Sequence, residues 1–146
     1  MKVLKFLISI TLAILLVGQG IADENKVTTE NLLQDEIEVR ITISDQIAAF
    51  SASDIDRAYN HASKSIKTIF PSSEIFGTMV RKSYPMIWSP KSYEFLSASH
   101  SPLGIKQRVL FTDKAGKMPF FDYVLENNGE RWVISGVYMV EGEKGV

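Results

Sequence analysis

At Pro90 the hydrophobic period of this chain changes from 3.6 residues to 2, and it does not change back. Three helical stripes lie in succession before that point, and only strand patterns follow it. A chain divided in this way folds as an α+β domain, with the helices covering one face of an antiparallel sheet.

The helical half is organised around Asp45 to Tyr84. Ile43, Ile47 and Phe50 stand at i, i+4 and i+7, and Ala48 and Ala49 favour helix, which predicts a helix from about Gln34 to Phe50. Its first half is ambiguous. Leu33, Ile37 and Ile41 recur every fourth residue, whereas Ile37, Val39, Ile41 and Ile43 alternate as a strand would. Ser53 as N-cap, with Asp56 three residues on, opens a second helix in capping-box fashion. Its stripe of Ile55, Ala58, Tyr59, Ala62, Ile66, Ile69 and Phe70 ends at Pro71. Ser72 or Ser73 caps a third helix with Ile75, Phe76, Met79, Val80 and Tyr84 on its buried face, stopped by Pro85.

Beyond Pro90, Tyr93, Phe95 and Ser97 alternate with Glu94 and Leu96, and His100 to Gly104 reads as a loop. Ile105, Gln107, Val109 and Phe111 form a second strand. Asp113 to Gly116 turns into a third, from Met118 to Glu126. Asn127-Asn128-Gly129 is a hairpin signal, because Asn-Gly accepts positive φ. The last strand, Arg131 to about Val140, places Trp132, Ile134, Gly136 and Tyr138 on one face, and a glycine inside a strand suggests a bulge or sharp bend.

The N-terminus reads as an export signal. Lys2 and Lys5 precede an uncharged apolar run from Phe6 to Val17, and Gly20 and Ala22 are small residues suited to a cut after Ala22. The run is about a dozen residues, short of the ~20 that an uncleaved anchor requires. Residues 1–22 are therefore expected to be a cleaved signal peptide, 23–31 a flexible leader, 32–141 one domain and 142–146 a tail. The protein is expected in the periplasm or outside the cell, touching membrane only during export. With no cysteine, a lipid anchor through a thiol is excluded and the fold stands without disulfides. Removing residues 1–22 removes two of sixteen Lys and Arg and none of seventeen Asp and Glu. A mildly acidic chain without a basic cluster is not expected to bind nucleic acid.

The segments Ile43 to Phe50, Asp54 to Ala62, Phe70-Pro71, Phe76-x-x-Met79-Val80 and Tyr84-Pro85 resemble those of a family of small exported bacterial proteins, the domain-of-unknown-function 4864 family. Gly116, Tyr123 and Gly129-x-x-Trp132-x-Ile134-x-Gly136 belong to the same likeness, which covers about Ile41 to Val140. The resemblance implies a nuclear-transport-factor-2-like (cystatin-like) cone, in which a curved sheet of about four strands wraps helices around a pocket. It implies no activity. Ser63-Lys64 departs from the Ser-Pro expected in this family, which predicts a second helix that runs on without a break.

Relatives of the cone include dehydratases, isomerases and ligand binders, so candidate residues are weighed one by one. Asp122 lies among Phe120, Phe121, Tyr123, Val124 and Leu125, where a carboxylate is either a pocket acid or paired with Arg108 or Lys106. His61 lacks an orienting carboxylate in its own segment, and His100 lacks a companion at metal spacing. No cofactor or metal is expected. Tyr84 and Trp88 are candidates to line a cavity, with Trp88 at a rim in a proline-bounded loop outside any regular element; Arg108 is a candidate contact for an anionic ligand. The expected function is non-catalytic binding of an apolar or amphipathic small molecule. The alternatives are a homodimerising or docking module that uses the sheet, with Phe120/Val124 on one face against Phe121/Tyr123/Leu125 on the other, and a small acid–base enzyme using Asp122 or His61.

Overall fold

The computed structural model describes residues 17–141, with side chains for Lys26 and for residues 28–141. The chain divides into two compact units, Met1–Gln34 and Asp35–Val146. The signal peptide read at residues 1–22 lies mostly outside the described residues, and so does the tail at 142–146.

α1 is the helix Val17–Ser51. It begins well before the expected start near Gln34, and the segment 23–31, read as a leader, is helical backbone. That stretch is polar and lacks an apolar stripe, so periodicity could not reveal it; Lys26 and Glu30 stand 3.9 Å apart across one turn. Within the second unit the ambiguity between helix and strand resolves through burial. Val39 and Ile43 are fully buried, whereas Ile37 and Ile41 are 52% and 62% exposed. A strand would have kept all four on one face.

α1 ends in a left-handed cap. Ser53 has φ 57°, its N–H donates to the Phe50 carbonyl, and the Asp54 N–H donates to the Ala49 carbonyl. This is the Schellman arrangement, and it commits Ser53 to closing α1. The N-cap of α2 (Ile55–Asn60) is therefore Asp54, whose carboxylate accepts from the Arg57 N–H, and not Ser53 as expected. Asp56 accepts instead from the Ser73 hydroxyl, at 2.5 Å.

The second helix does not run on. It breaks after Asn60 and resumes as α3 (Lys64–Ile69), capped by Ser63. The break is imposed from a distance: Ile134 donates its N–H to the His61 carbonyl, and its own carbonyl accepts from the Ser63 N–H, both at 2.8 Å. Residues 61–63 thus act as a short bridge to the last strand, and a helix cannot keep those groups for itself. α4 (Ser73–Ser83) is capped by Ser72 and buries Phe76, Gly77 and Val80. Pro85 does not only stop α4. It also occupies the first turn of α5 (Pro85–Trp88), where a missing N–H costs nothing, so Trp88 belongs to a regular element after all.

β1 (Ser92–Ser101), β2 (Gly104–Thr112), β3 (Phe120–Asn127) and β4 (Trp132–Val140) form one antiparallel sheet in sequence order. β1 carries a bulge between Phe95 and Ala98. Buried Gln107 holds it by donating its amide to the Leu96 and Ser97 carbonyls at 3.0 and 3.3 Å, and its amide oxygen accepts from Arg40 of α1 at 3.1 Å. A second bulge faces Val124/Leu125: Leu125 pairs with Ile134 and Val124 with Gly136, which leaves Ser135 extra. The bend expected at Gly136 is there, and it reverses the facing of β4. Ile134 is buried toward the helices, whereas Tyr138 pairs with Asp122 and is 61% exposed. The common face read for Trp132, Ile134, Gly136 and Tyr138 is therefore split. The core joins the inner sheet residues Ile105, Val109, Phe111, Phe121, Tyr123 and Leu125 to Val39, Ile43, Ile47 and Phe50 of α1 and to Phe76 and Val80 of α4. Among the described residues, no helix is long and apolar enough to cross a membrane.

Candidate functional site

Because α3 leaves the line of α2, a space remains between the helices and β4. This cavity measures about 280 Å³. α1 contributes Gln46 and Phe50; α3 and its end contribute Ile66, Ile69 and Phe70; α4 contributes Phe76, Met79 and Val80. Tyr84, Ile87, Tyr123 and the β4 segment from Ile134 to Tyr138 close it. Ile69 and Tyr138, 66% and 61% exposed, are the two exposed residues of this lining. α3 buries none of its residues, so this wall is the loosely packed one; the Tyr59 hydroxyl donating to the Phe70 carbonyl at 2.5 Å holds its end.

The lining carries no carboxylate, imidazole, ammonium or guanidinium. Two of its polar groups have identifiable duties. The Gln46 amide donates to the Ala58 carbonyl at 3.3 Å, and the Ser135 hydroxyl to the Val124 carbonyl at 3.1 Å. Tyr123 differs. Its side chain is fully buried and its hydroxyl has no hydrogen-bond partner, the one such side-chain atom among the described residues. Burial pushes this phenol far above its ordinary value, with Tyr93 adding to the effect.

Of the residues proposed from sequence, only Tyr84 lines this cavity, with its ring edge-on to Phe121 at 6.1 Å. Trp88 lies elsewhere, packed on Phe50 at 5.3 Å and under the Arg81 guanidinium at 4.4 Å. Arg108 and Asp122 come together on the outer sheet face, directly opposite each other on β2 and β3. Arg108 donates Nε to Asp122 Oδ1 at 2.7 Å and Nη2 to Oδ2 at 2.9 Å, and Lys106 stands 3.8 Å away. Arg108 is the main cause that holds the Asp122 carboxyl below its usual range. This is the cross-strand pairing among the alternatives weighed, and it places Asp122 away from the cavity.

The carboxylate that His61 lacked in its own segment arrives from α1. Asp45 Oδ2 lies 2.6 Å from His61 Nε2 and accepts from Arg57 Nε at 3.1 Å, while Arg57 Nη2 bonds Asp45 Oδ1. A separation of sixteen residues hid this triad, since only the turn between α1 and α2 brings it together. His61 does not line the cavity, and the triad pins the start of the 61–63 bridge. Arg57 first, then His61, lowers the Asp45 carboxyl from 3.8 to about 2. A depressed carboxylate contributes stability that is present above its unfolded value and lost as pH falls through the folded one. Wild-type stability should therefore decline between about pH 4 and pH 2. Asp45→Asn should flatten that decline in urea unfolding series, by a modest amount because Arg57 and Asp45, 48% and 33% exposed, are screened by solvent. His100 pairs with Glu36 at 2.8 Å. Among the described residues no cluster of His, Asp and Glu could hold a metal ion.

Tyr123 escaped the sequence reading as a site residue because it alternates with Phe121 and Leu125 as one more apolar position. Its signal was a single hydroxyl in an otherwise hydrocarbon stripe. No curated protein and no solved structure matches the chain. The family model described as Domain of unknown function (DUF4864) matches residues 32–145, nearly all of the second unit, and the chain belongs to that family.

Proposed function

We propose that this protein is an exported, non-catalytic binder that takes an apolar or amphipathic small molecule between α3, α4 and β4. The observation that carries this reading is the cavity of about 280 Å³, walled by aliphatic and aromatic side chains. It offers roughly twice the room of an apolar cavity that holds benzene. The lining supports binding over acid–base chemistry, since its only ionisable groups are tyrosine phenols and burial makes Tyr123 a poorer acid still. Helices packed on one face of a sheet bent by two bulges support the nuclear-transport-factor-2-like cone as the finer description of the fold. Export rests on the charged, apolar and small-residue pattern of Met1 to Ala22.

The test is native mass spectrometry of protein recovered from the periplasm. The reading expects a mass that begins at Asp23, with an excess of roughly a few hundred daltons from a retained ligand. A bare monomer that gains no mass with added apolar compounds would sink it. A second reading, a homodimer through the sheet, draws on Phe120 and Tyr138, 37% and 61% exposed around the Arg108–Asp122 pair on the outer face. The same spectrum decides it by a doubled mass.

A further inference from the structure

We infer that the ligand of this cavity is an uncharged molecule with a hydroxyl or N–H group on an apolar body, and that this group donates a hydrogen bond to the Gln46 side-chain oxygen. The inference rests on the cavity-binding reading above and narrows it to a chemical class.

Gln46 stands on α1 between the core residues Ile43 and Ile47 and is 3% exposed. Its amide is oriented by α2, where Nε2 donates to the Ala58 main-chain carbonyl at 3.3 Å. That carbonyl can only accept, so the nitrogen must face it and the oxygen is the end left over. Among the described residues, Oε1 accepts from no donor. It is not sealed in the core either, because the Tyr123 hydroxyl is the one unpartnered side-chain atom there that has lost its accessible surface. The small surface that Gln46 keeps therefore includes this oxygen. Of the hollows in the described fold, Gln46 borders this cavity and no other.

The class of ligand follows from that acceptor and its surroundings. An amide oxygen beside a hydrocarbon-walled space needs a donor. A plain hydrocarbon filling the space would strip water from Oε1 and leave it unpaired, which offsets part of the gain from burial. A ketone or ether oxygen would set one lone pair against another. A hydroxyl or N–H keeps the bond that water would otherwise supply. An ammonium also donates, but no carboxylate lines the cavity to balance its charge once it is desolvated. One polar contact in an apolar setting is enough to orient the molecule.

Four probes of similar shape test this: naphthol, methylnaphthalene, methoxynaphthalene and the naphthylmethylammonium ion, titrated by NMR into the wild-type protein and Gln46→Met. Methionine keeps the length of the side chain and removes both ends of the amide, while the Ala58 carbonyl still accepts from the His61 N–H. The affinity of naphthol relative to methylnaphthalene should fall about tenfold from wild type to Gln46→Met. Methoxynaphthalene, which has no donor, should keep its ratio to methylnaphthalene in both proteins. The ammonium ion should bind wild type least. An unchanged naphthol ratio, an equal change for methoxynaphthalene, or tightest binding of the ammonium ion would each overturn the inference and leave the cavity reading standing. Failure of all four probes to shift the signals of lining residues such as Ile66 and Val137 would overturn both. The wild-type protein also gives a readout that does not depend on the variant folding. Bound naphthol should show nuclear Overhauser contacts to the Gln46 side-chain amide protons, and their absence in the saturated complex would overturn the inference.

Discussion

Truncation of Phe50 to alanine is expected to destabilise the domain by about 3–5 kcal/mol, the largest effect of any single core change proposed here. Phe50 is 1% exposed and stands at the last turn of α1. Its ring meets Phe76 of α4 at 5.9 Å and Trp88 of α5 at 5.3 Å, so one side chain ties three helices together. It also walls the cavity, and its removal would join the vacated volume to the existing space. Neighbours that already border a void gain little by collapsing, which places the cost toward the upper part of the range. Urea unfolding monitored by tryptophan fluorescence measures it. A loss below about 1.5 kcal/mol would mean that the helices repack around the gap, and that the helical layer is softer than its aromatic contacts indicate.

Gly104→Ala is expected to cost roughly 2–4 kcal/mol, through backbone geometry and not through any lost contact. Gly104 opens β2 after the tight turn at Pro102-Leu103 and has φ +139°, where a side chain is strained. A Cβ placed there would lie 2.0 Å from the Leu125 carbonyl oxygen, on the neighbouring strand. That oxygen is main chain and cannot yield as a flexible side-chain tip could. Relief requires β2 to move away from β3 at the end where Ile105 pairs with Leu125. The measurement is again unfolding free energy, with hydrogen exchange at Ile105 and Leu125 as the local readout. Unchanged protection at both amides would show that the strain is absorbed within the turn itself.

These two sites differ in how visible they were in the chain. Phe50 announced itself, because its spacing from Ile43 and Ile47 is a local property that any helix expresses. Gly104 was legible only as a loop residue, since what forbids a side chain there is an oxygen twenty-one positions away. The same division runs through the candidate site. Tyr84 was anticipated from the stripe of α4 and does line the cavity. Trp88 was misplaced because Pro85 was read as a stop, whereas proline also starts a helix. Asp122 offered two readings from one strand pattern, and the register that sets it opposite Arg108 chose between them.

The sequence by itself determined the succession of helices and then strands, the α+β division at Pro90, the buried positions Ile43, Ile47, Phe50, Ala58, Phe76 and Val80, and the turn at Asn127 to Gly129, whereas Ile69 and Ile75 of the same stripes are exposed. Each of these depends on period, capping or φ preference over a few residues, and such terms act within a segment whatever the rest of the chain does. The tertiary structure alone decided the break at residues 61–63, the Asp45–His61–Arg57 triad, the reversed facing of β4 and the cavity with Tyr123 on its wall. The triad depends on the turn between α1 and α2, the break on main-chain groups of Ile134 reaching residues more than seventy positions earlier, and the facing of β4 on one extra residue in a strand. A single bulge shifts every later side chain to the other face, and no local period records where the partner strand has placed it.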